Sequence, residues 1–163
     1  MRGQQGREIW FHDRGALRLI GWRYVPLLAA LNLAWEVAQL PLYTIWRDAD
    51  IGYIAFAVAH CIVGDALIGS AALVLALMVT RAGSASTWPW LHIGIITTLV
   101  GLSYTGRSEW MNTSLRQSWS YSAAMPTLEL GGIVIGLAPL AQWLLLPPVA
   151  LRLTLPGYTG NTI

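Results

Sequence analysis

Charge is what this sequence has least of. Only 11% of its 163 residues are charged, whereas soluble domains carry about 25%. Hydrophobic residues make up 55% of the chain, and the mean hydropathy is +0.53. A chain this poor in charge cannot cover a water-exposed surface, so the composition favours a membrane protein. Nine tryptophans and six tyrosines agree with this, because their amphipathic rings collect at the membrane–water boundary.

Other absences narrow the choice of function. There is no lysine, the net charge is only +2, and the arginines form no basic run with interleaved aromatics, so nucleic acid is not expected as a partner. The single cysteine, Cys61, leaves no internal disulfide. The first 23 residues lack the apolar core and the small-residue cleavage site of a secretory signal, and we expect them to be retained.

Four apolar stretches are long enough to cross a bilayer, which needs about 20 residues of helix. They are residues 24–46, 51–80, 88–106 and 127–150. The sequence therefore predicts an all-α polytopic integral membrane protein, a four-transmembrane-helix bundle forming one membrane domain over residues 1–163. Residues 1–23 are predicted to be a cytoplasmic amphipathic tail, and residues 107–126 an outer interfacial loop or helix.

The arginines predict the orientation of the chain. Seven of the ten fall in the N-terminal tail, the loop after the second span and the C-terminal tail: Arg2, Arg7, Arg14, Arg18, Arg23, Arg81 and Arg152. The other side has Arg47, Arg107 and Arg116. Because cytoplasmic segments carry the excess of basic residues, we expect both termini in the cytoplasm. The pattern is typical of a small protein of the bacterial inner (plasma) membrane.

Polar residues interrupt the first span at regular intervals. Asn32, Glu36, Gln39 and Tyr43 have i, i+4, i+7, i+11 spacing, which places them on one helical face. A carboxylate inside the membrane costs roughly 2.5–3.5 kcal/mol on insertion scales and usually points into the bundle. We therefore expect Glu36 to face a polar pocket in the outer half of the membrane.

The second span offers His60 and Asp65 as neighbours for Glu36. Counting helical rise from the outer edge places Glu36 and His60 at about the same depth, roughly 13–15 Å. This predicts a Glu36–His60 pair, with Asp65 near the midplane. In the outer segment, Glu109, Asn112 and Arg116 have i, i+3, i+7 spacing and are predicted to cap the pocket.

Gly132 and Gly136 form a G-x-x-x-G pair in the predicted fourth span. On a membrane helix this pattern is typical of close helix contact. It predicts packing against another helix, a protein partner or a second copy of the chain, and membrane lipid is the other expected partner.

The polar cluster fits several chemistries. A divalent metal is one, but it is weakly supported because no H-E-x-x-H or E-x-x-H spacing occurs and His12 and His92 lie elsewhere, and the sequence leaves the cofactor unknown. The Gly64-Asp65 dipeptide resembles part of the element of aspartyl intramembrane proteases. Ile62 replaces the first glycine of that element, however, and no second aspartate lies at the same depth.

Two hypotheses for the function of the polar residues remain. In the first, the pocket binds or processes a small or lipidic ligand, with Glu36, His60 and Asp65 as candidate catalytic residues. The candidate ligand-binding residues are then Asn32, Gln39, Tyr43, Glu109, Asn112 and Arg116. In the second, the protein is a structural or accessory subunit of a larger membrane complex, and the polar residues are interhelical contacts that average roughly 0.6 kcal/mol each. The sequence leaves open whether the protein is an enzyme.

Overall fold

A computed structural model describes residues 9–154 of the chain, and it is mostly helical. Six α-helices occur in these residues: α1 Arg14–Leu19, α2 Val25–Gln39, α3 Ile45–Asp48, α4 Ile51–Val79, α5 Trp90–Trp110 and α6 Leu137–Thr154. Two short strands, β1 Thr127–Leu130 and β2 Ile133–Gly136, form an antiparallel hairpin just before α6. Short 3-10 turns occur at Trp10–His12, Leu40–Leu42 and Ala85–Thr87, and π turns at Ile20–Tyr24 and Met111–Leu115.

Within residues 9–154, three helical segments are long and apolar enough to cross a membrane. They are Arg14–Leu42, Ile51–Val79 and Leu137–Thr154. Together they support a membrane protein in general. Helix α5 is also 21 residues long but is interrupted by serine, threonine and glycine. In the bundle, α2 packs against α4 and α6, and α5 packs against the same two helices from the other side.

Aspartates define the starts of two helices. The Asp13 carboxylate accepts a hydrogen bond from the Gly15 N–H at 2.8 Å and another from the Ala85 N–H at 3.1 Å, so it caps α1 and ties it to the α4–α5 connection. Asp50 caps α4 in the same way through the N–H groups of Gly52 and Tyr53. These side chains satisfy donors that the first helical turn leaves without a backbone partner.

The first span differs from the prediction at both ends. Helix α1 continues through the π turn Ile20–Tyr24 directly into α2. The predicted separate surface tail is therefore wrong for residues 14–23. Residues 1–8 of that tail lie outside the described residues. The reason is burial: Ala16 and Leu19 pack in the core that includes Leu77 and Trp88. At its C-terminal end, α2 stops at Gln39 and the chain turns through a 3-10 segment, so the predicted helix to residue 46 is wrong.

The predicted helix over residues 127–150 is wrong in its first ten residues, which form the β-hairpin. Gly131 and Gly132 have φ angles of +58° and +82° and form the two-residue turn. Positive φ at both central positions is what a tight hairpin turn requires, and glycine adopts it without steric cost. Gly132 and Gly136 therefore do not lie on a helix, and the helix-packing argument for a G-x-x-x-G contact does not apply to them.

Two glycines allow close packing where the long helices cross. A Cβ on Gly69 would overlap the side chain of Leu28, and a Cβ on Gly101 would overlap the indole of Trp143. Trp143 is buried, and α6 continues past Pro147 and Pro148 to Thr154 instead of ending at them. The apolar core lies at the end of the bundle near the α4–α5 connection, which leaves the opposite end of the bundle for a polar cavity.

Candidate functional site

A cavity of about 360 Å³ opens between α2, α4, α5 and α6 at the end of the bundle away from the core. This volume is within the usual range for small-molecule sites, about 300–1,000 Å³. Three carboxylates from three different helices line it: Glu36, Asp65 and Glu109. Its aromatic lining consists of Tyr43, Tyr104, Trp119 and Trp143.

The side-chain amide of Gln142 is the centre of the polar network. Its Nε2 lies 2.7 Å from Asn32 Oδ1, 2.8 Å from Asp65 Oδ2 and 3.3 Å from Glu36 Oε1. An amide nitrogen carries only two hydrogens, so it serves two of these three acceptors well at any moment. Gln142 thus joins α6 to both α2 and α4, and it leaves the group with more acceptors than donors.

Gln39 extends the network along α2. Its Nε2 donates to Glu36 Oε1 at 2.9 Å and to Gln142 Oε1 at 3.3 Å, and its Oε1 accepts from the Trp35 indole N–H at 3.1 Å. Gln39 and Asn32 are both buried, while Glu36 is partly buried. The polar stripe predicted on the first span is therefore a hydrogen-bonded face that meets α6.

The connection between the π turn Met111–Leu115 and the hairpin lies over the cavity. It is held to the end of the first span by backbone bonds from Thr44 to Ser120, 3.0 Å, and from Ser122 to Leu42, 2.9 Å. The Tyr121 hydroxyl donates to Glu109 Oε2 and accepts from the Gly136 N–H. Burial, together with the adjacent Glu109 carboxylate, raises the pKa of Tyr121, so this hydroxyl keeps its proton at neutral pH. We call residues 116–126 the cover segment.

The structure brings most of the predicted site residues to one place. The cavity is lined by Glu36, Gln39, Tyr43, His60, Asp65, Glu109, Asn112 and Arg116. Asn32 lies behind this lining and is hydrogen-bonded to Gln142. Whether these residues bind a ligand or perform chemistry stays a prediction.

The predicted Glu36–His60 pair is wrong. Within residues 9–154, the hydrogen bonds of Glu36 come from Gln39 and Gln142, and His60 is exposed at the cavity rim with its ring stacked on Phe56, the centroids 5.9 Å apart. The depth estimate assumed a regular helix up to Trp46, but the helix ends at Gln39. Asp65 shares the Gln142 amide with Glu36 instead.

Metal ligands do not converge at this site. No group of three or more His, Cys, Asp and Glu side chains in residues 9–154 is arranged to hold a metal ion. His12 and His92 are exposed and lie away from the cavity lining. The three carboxylates instead face an open space bordered by aromatic rings.

Gln142, Tyr104 and Trp143 line the cavity but are not among the site residues that the sequence predicts. Gln142 interrupts the apolar run "LAPLAQWLLL" just as Glu36 and Gln39 interrupt the first span, so the signal was present. The apolar context of Tyr104 and Trp143 gave no such signal, because aromatic residues in a membrane helix are unremarkable in themselves. The sequence matches no protein-family model, no curated protein and no solved structure.

Proposed function

We propose that this chain is a bacterial inner-membrane protein that binds a small or lipidic ligand in the cavity between its helices. Four crossings, by the Arg14–Leu42 segment, α4, α5 and α6, place both termini in the cytoplasm and the cavity in the outer half of the membrane. The arginine distribution and the apolar length of three of these segments support this arrangement.

One observation carries the ligand-binding proposal: two carboxylate oxygens are left free in the cavity wall. Glu36 Oε2 and Asp65 Oδ1 make no hydrogen bond within residues 9–154. The buried side-chain polar atoms without a partner in that range are the Tyr24 hydroxyl and the Trp119 indole N–H, so the two oxygens are accessible. Interhelical contacts serve best when they satisfy one another, whereas a binding site keeps polar atoms available.

The polar atoms sit beside a substantial apolar lining, which suits a lipidic ligand. Leu40, Ile45, Val58 and Ile68 line the same cavity as the carboxylates. Sites for small molecules combine a mostly apolar wall with a few convergent polar groups that fix orientation. Glu36 and Asp65 are the candidates for acid–base roles if the bound molecule is also transformed.

Filling the cavity tests the proposal. Ala57 lines it, whereas Ala55, on the same helix, is exposed outside it. We expect Ala57→Phe to remove the lipid or metabolite that co-purifies with the wild-type protein in a mild detergent, and Ala55→Phe to retain it, as measured by mass spectrometry of the extracted sample. A wild-type sample free of any bound small molecule, or equal retention in the two variants, would overturn the proposal.

The accessory-subunit alternative is favoured by a different observation, the bridging role of the Gln39 and Gln142 amides between α2, α4 and α6. In that case Glu36→Gln would release a co-purifying protein chain. Loss of such a chain, with Ala57→Phe and Ala55→Phe indistinguishable in their bound lipid, would favour the alternative over ligand binding.

A further inference from the structure

We propose that the ligand of this cavity is a cationic amphiphile, a molecule with a protonated or quaternary amine on an apolar body. This inference rests on the proposed ligand-binding function and names the chemical class. It follows from the kinds of groups that meet in the cavity wall and from where the charges of each sign are found.

The cavity wall contains three carboxylates. Glu36, Asp65 and Glu109 all line the cavity, and Glu109 is only 6% exposed. Within residues 9–154 their hydrogen-bond donors are the amides of Gln39 and Gln142 and the Tyr121 hydroxyl, and none is an arginine. Glu109 is buried, and Glu36 and Asp65 are partly buried. Without a cation nearby, a buried carboxyl group either takes up a proton or stays charged at a cost in free energy. A positively charged guest stabilises the charged form, which a neutral guest does not.

Aromatic rings share the cavity wall with the three carboxylates. They belong to Tyr43, Tyr104, Trp119 and Trp143. The negative face of an aromatic ring attracts a cation, and rings combined with carboxylates are how proteins recognise organic ammonium groups. Ring attraction extends the inference to quaternary ammonium, which has no N–H to donate.

The two basic side chains of the lining, His60 and Arg116, are both exposed, whereas Glu109 is buried. Arg116 lies at the start of the cover segment. An anionic head group would be held at the mouth by Arg116 and repelled by the carboxylates behind it. A cationic head group is attracted inward, while the apolar lining accommodates its tail.

The test uses three probes of equal chain length: dodecylamine, 1-dodecanol and dodecanoate. Binding to the full chain in neutral maltoside micelles is measured by titration of the tryptophan fluorescence and by the shift of the thermal midpoint. We expect saturable binding of the amine at least about tenfold tighter than of the alcohol, the equivalent of one well-placed charge contact, and no saturable binding of the acid.

Variants locate the effect within the cavity. Glu109→Gln and Asp65→Asn are expected to weaken amine binding about tenfold each while leaving alcohol binding unchanged. The matched control is Glu129→Gln, an exposed carboxylate of β1 outside the cavity lining, which should bind all three probes like the wild type. Should a cavity variant fail to fold, the comparison of the three probes on the wild type still decides.

The outcomes separate this inference from the proposed function. If amine and alcohol bind equally and Ala57→Phe abolishes both, the cavity binds ligands with its carboxyl groups uncharged, and the cationic class is wrong. If the acid binds best, the class is likewise wrong. If none of the three probes binds saturably to the wild type, the cationic class is overturned, while the co-purification experiment with Ala57→Phe and Ala55→Phe still judges the proposed function.

Discussion

At the scale of single residues, Gln142 accounts for more of the site than any residue that the sequence singled out. Its amide is shared among Asn32, Glu36 and Asp65, so the position of each carboxylate depends on it. Removing this donor leaves Asn32 Oδ1, which is buried, and Asp65 Oδ2, which is partly buried, without their hydrogen bond from Gln142. A buried acceptor left unsatisfied costs about 1–3 kcal/mol. The consequence for stability is therefore larger than the loss of one hydrogen bond.

We expect Gln142→Leu to lower the free energy of unfolding by roughly 2–4 kcal/mol, because similar volume is kept while the shared donor is lost. The measurement is thermal or denaturant unfolding in detergent, followed by tryptophan fluorescence. Leu145→Ala, an exposed position on the same helix, is the control and should change stability little. A Gln142→Leu protein as stable as the control would mean that the network contributes nothing to the fold.

Asp13 is a second residue with a testable role, outside the membrane-spanning segments. The backbone N–H groups of Ala85 and Gly15 hold the pKa of Asp13 below its usual range. A carboxyl group with a lowered folded-state pKa stabilises the fold above its unfolded pKa, about 3.9, and loses that contribution as the pH falls through the folded value.

The Asp13→Ala variant should therefore melt below the wild type at pH 7, by the loss of a helix cap worth about 1 kcal/mol. The difference between the two proteins should shrink as the pH is lowered below about 4. Comparing the two at each pH cancels the titration of groups common to both. A gap that stays constant down to pH 2.5, or that the exposed Asp48→Ala reproduces, would contradict this role.

At the scale of elements, close helix crossings were the least predictable feature. Gly101 gave no signal in the sequence, yet the Trp143 indole occupies the space where its Cβ would be. That crossing joins α5 to α6 and fixes a ring that also lines the cavity. Packing of this kind depends on which faces meet, and the sequence pattern of one helix does not contain that information.

We expect Gly101→Ala to destabilise the protein by about 1–3 kcal/mol, because the new methyl group forces the indole or the backbone to move. Gly64→Ala is the matched control: no atom lies within 4 Å of the methyl position, and alanine is the better helix former. Unfolding in detergent should therefore show a loss for the first and none for the second. Equal stabilities would show that the crossing is loose enough to accept a methyl group.

The hairpin shows why some elements were predicted and one was not. Helix α4 is predictable because it is a long apolar run that begins at Asp50, and α5 because it has helical length and begins near Trp90. Residues 127–136 continue into the apolar residues of α6, so length alone favours a helix across the Gly131-Gly132 pair. That pair, followed by the β-branched run Ile133, Val134 and Ile135, is the stronger local signal and indicates a hairpin.

The polar stripe on the first span was predictable because helical periodicity is a local property. The hydrogen-bond partner of Glu36 was not predictable. Choosing between His60 and Gln142 requires knowing where α2 ends and which helices lie next to it. The break after Gln39 shifted the relative depth of the two spans. When the end of one helix is predicted wrongly, the depth of its residues relative to the next helix is also wrong. The contacts predicted between the two helices are then wrong even when both helices are predicted correctly.

At the scale of the whole molecule, the number of crossings determines where the C-terminus lies. Three crossings place the two termini on opposite sides of the membrane, and four place them on the same side. The number of crossings depends on whether α5 spans the membrane. Helix α5 packs between α4 and α6, as a membrane-spanning helix of the bundle would, but it is the least apolar of the long segments. We expect four crossings.

Reporter fusions in a bacterial host measure this directly. A cytoplasmic fluorescent reporter should be active when fused after Ile163, and an alkaline phosphatase reporter should be active when inserted in the cover segment near Gln117, which is exposed. An active phosphatase at the C-terminal fusion would contradict four crossings.

The division of the bundle into a packed end and a cavity end has a consequence for motion. The packed end is closed by fully buried side chains such as Tyr24, Leu73 and Ile93. The cover segment is held by two backbone bonds to the first span, by the Tyr121 hydroxyl and by the buried Met125. Regions with few buried contacts open locally at a fraction of the global free energy. If the cavity binds the proposed ligand, we expect the ligand to enter through a transient detachment of residues 116–126 while the rest of the bundle remains folded. Amide hydrogen exchange would register this as rapid exchange at Ser122, slowed when the cavity is filled, against protection in α4 that lasts until the whole chain unfolds.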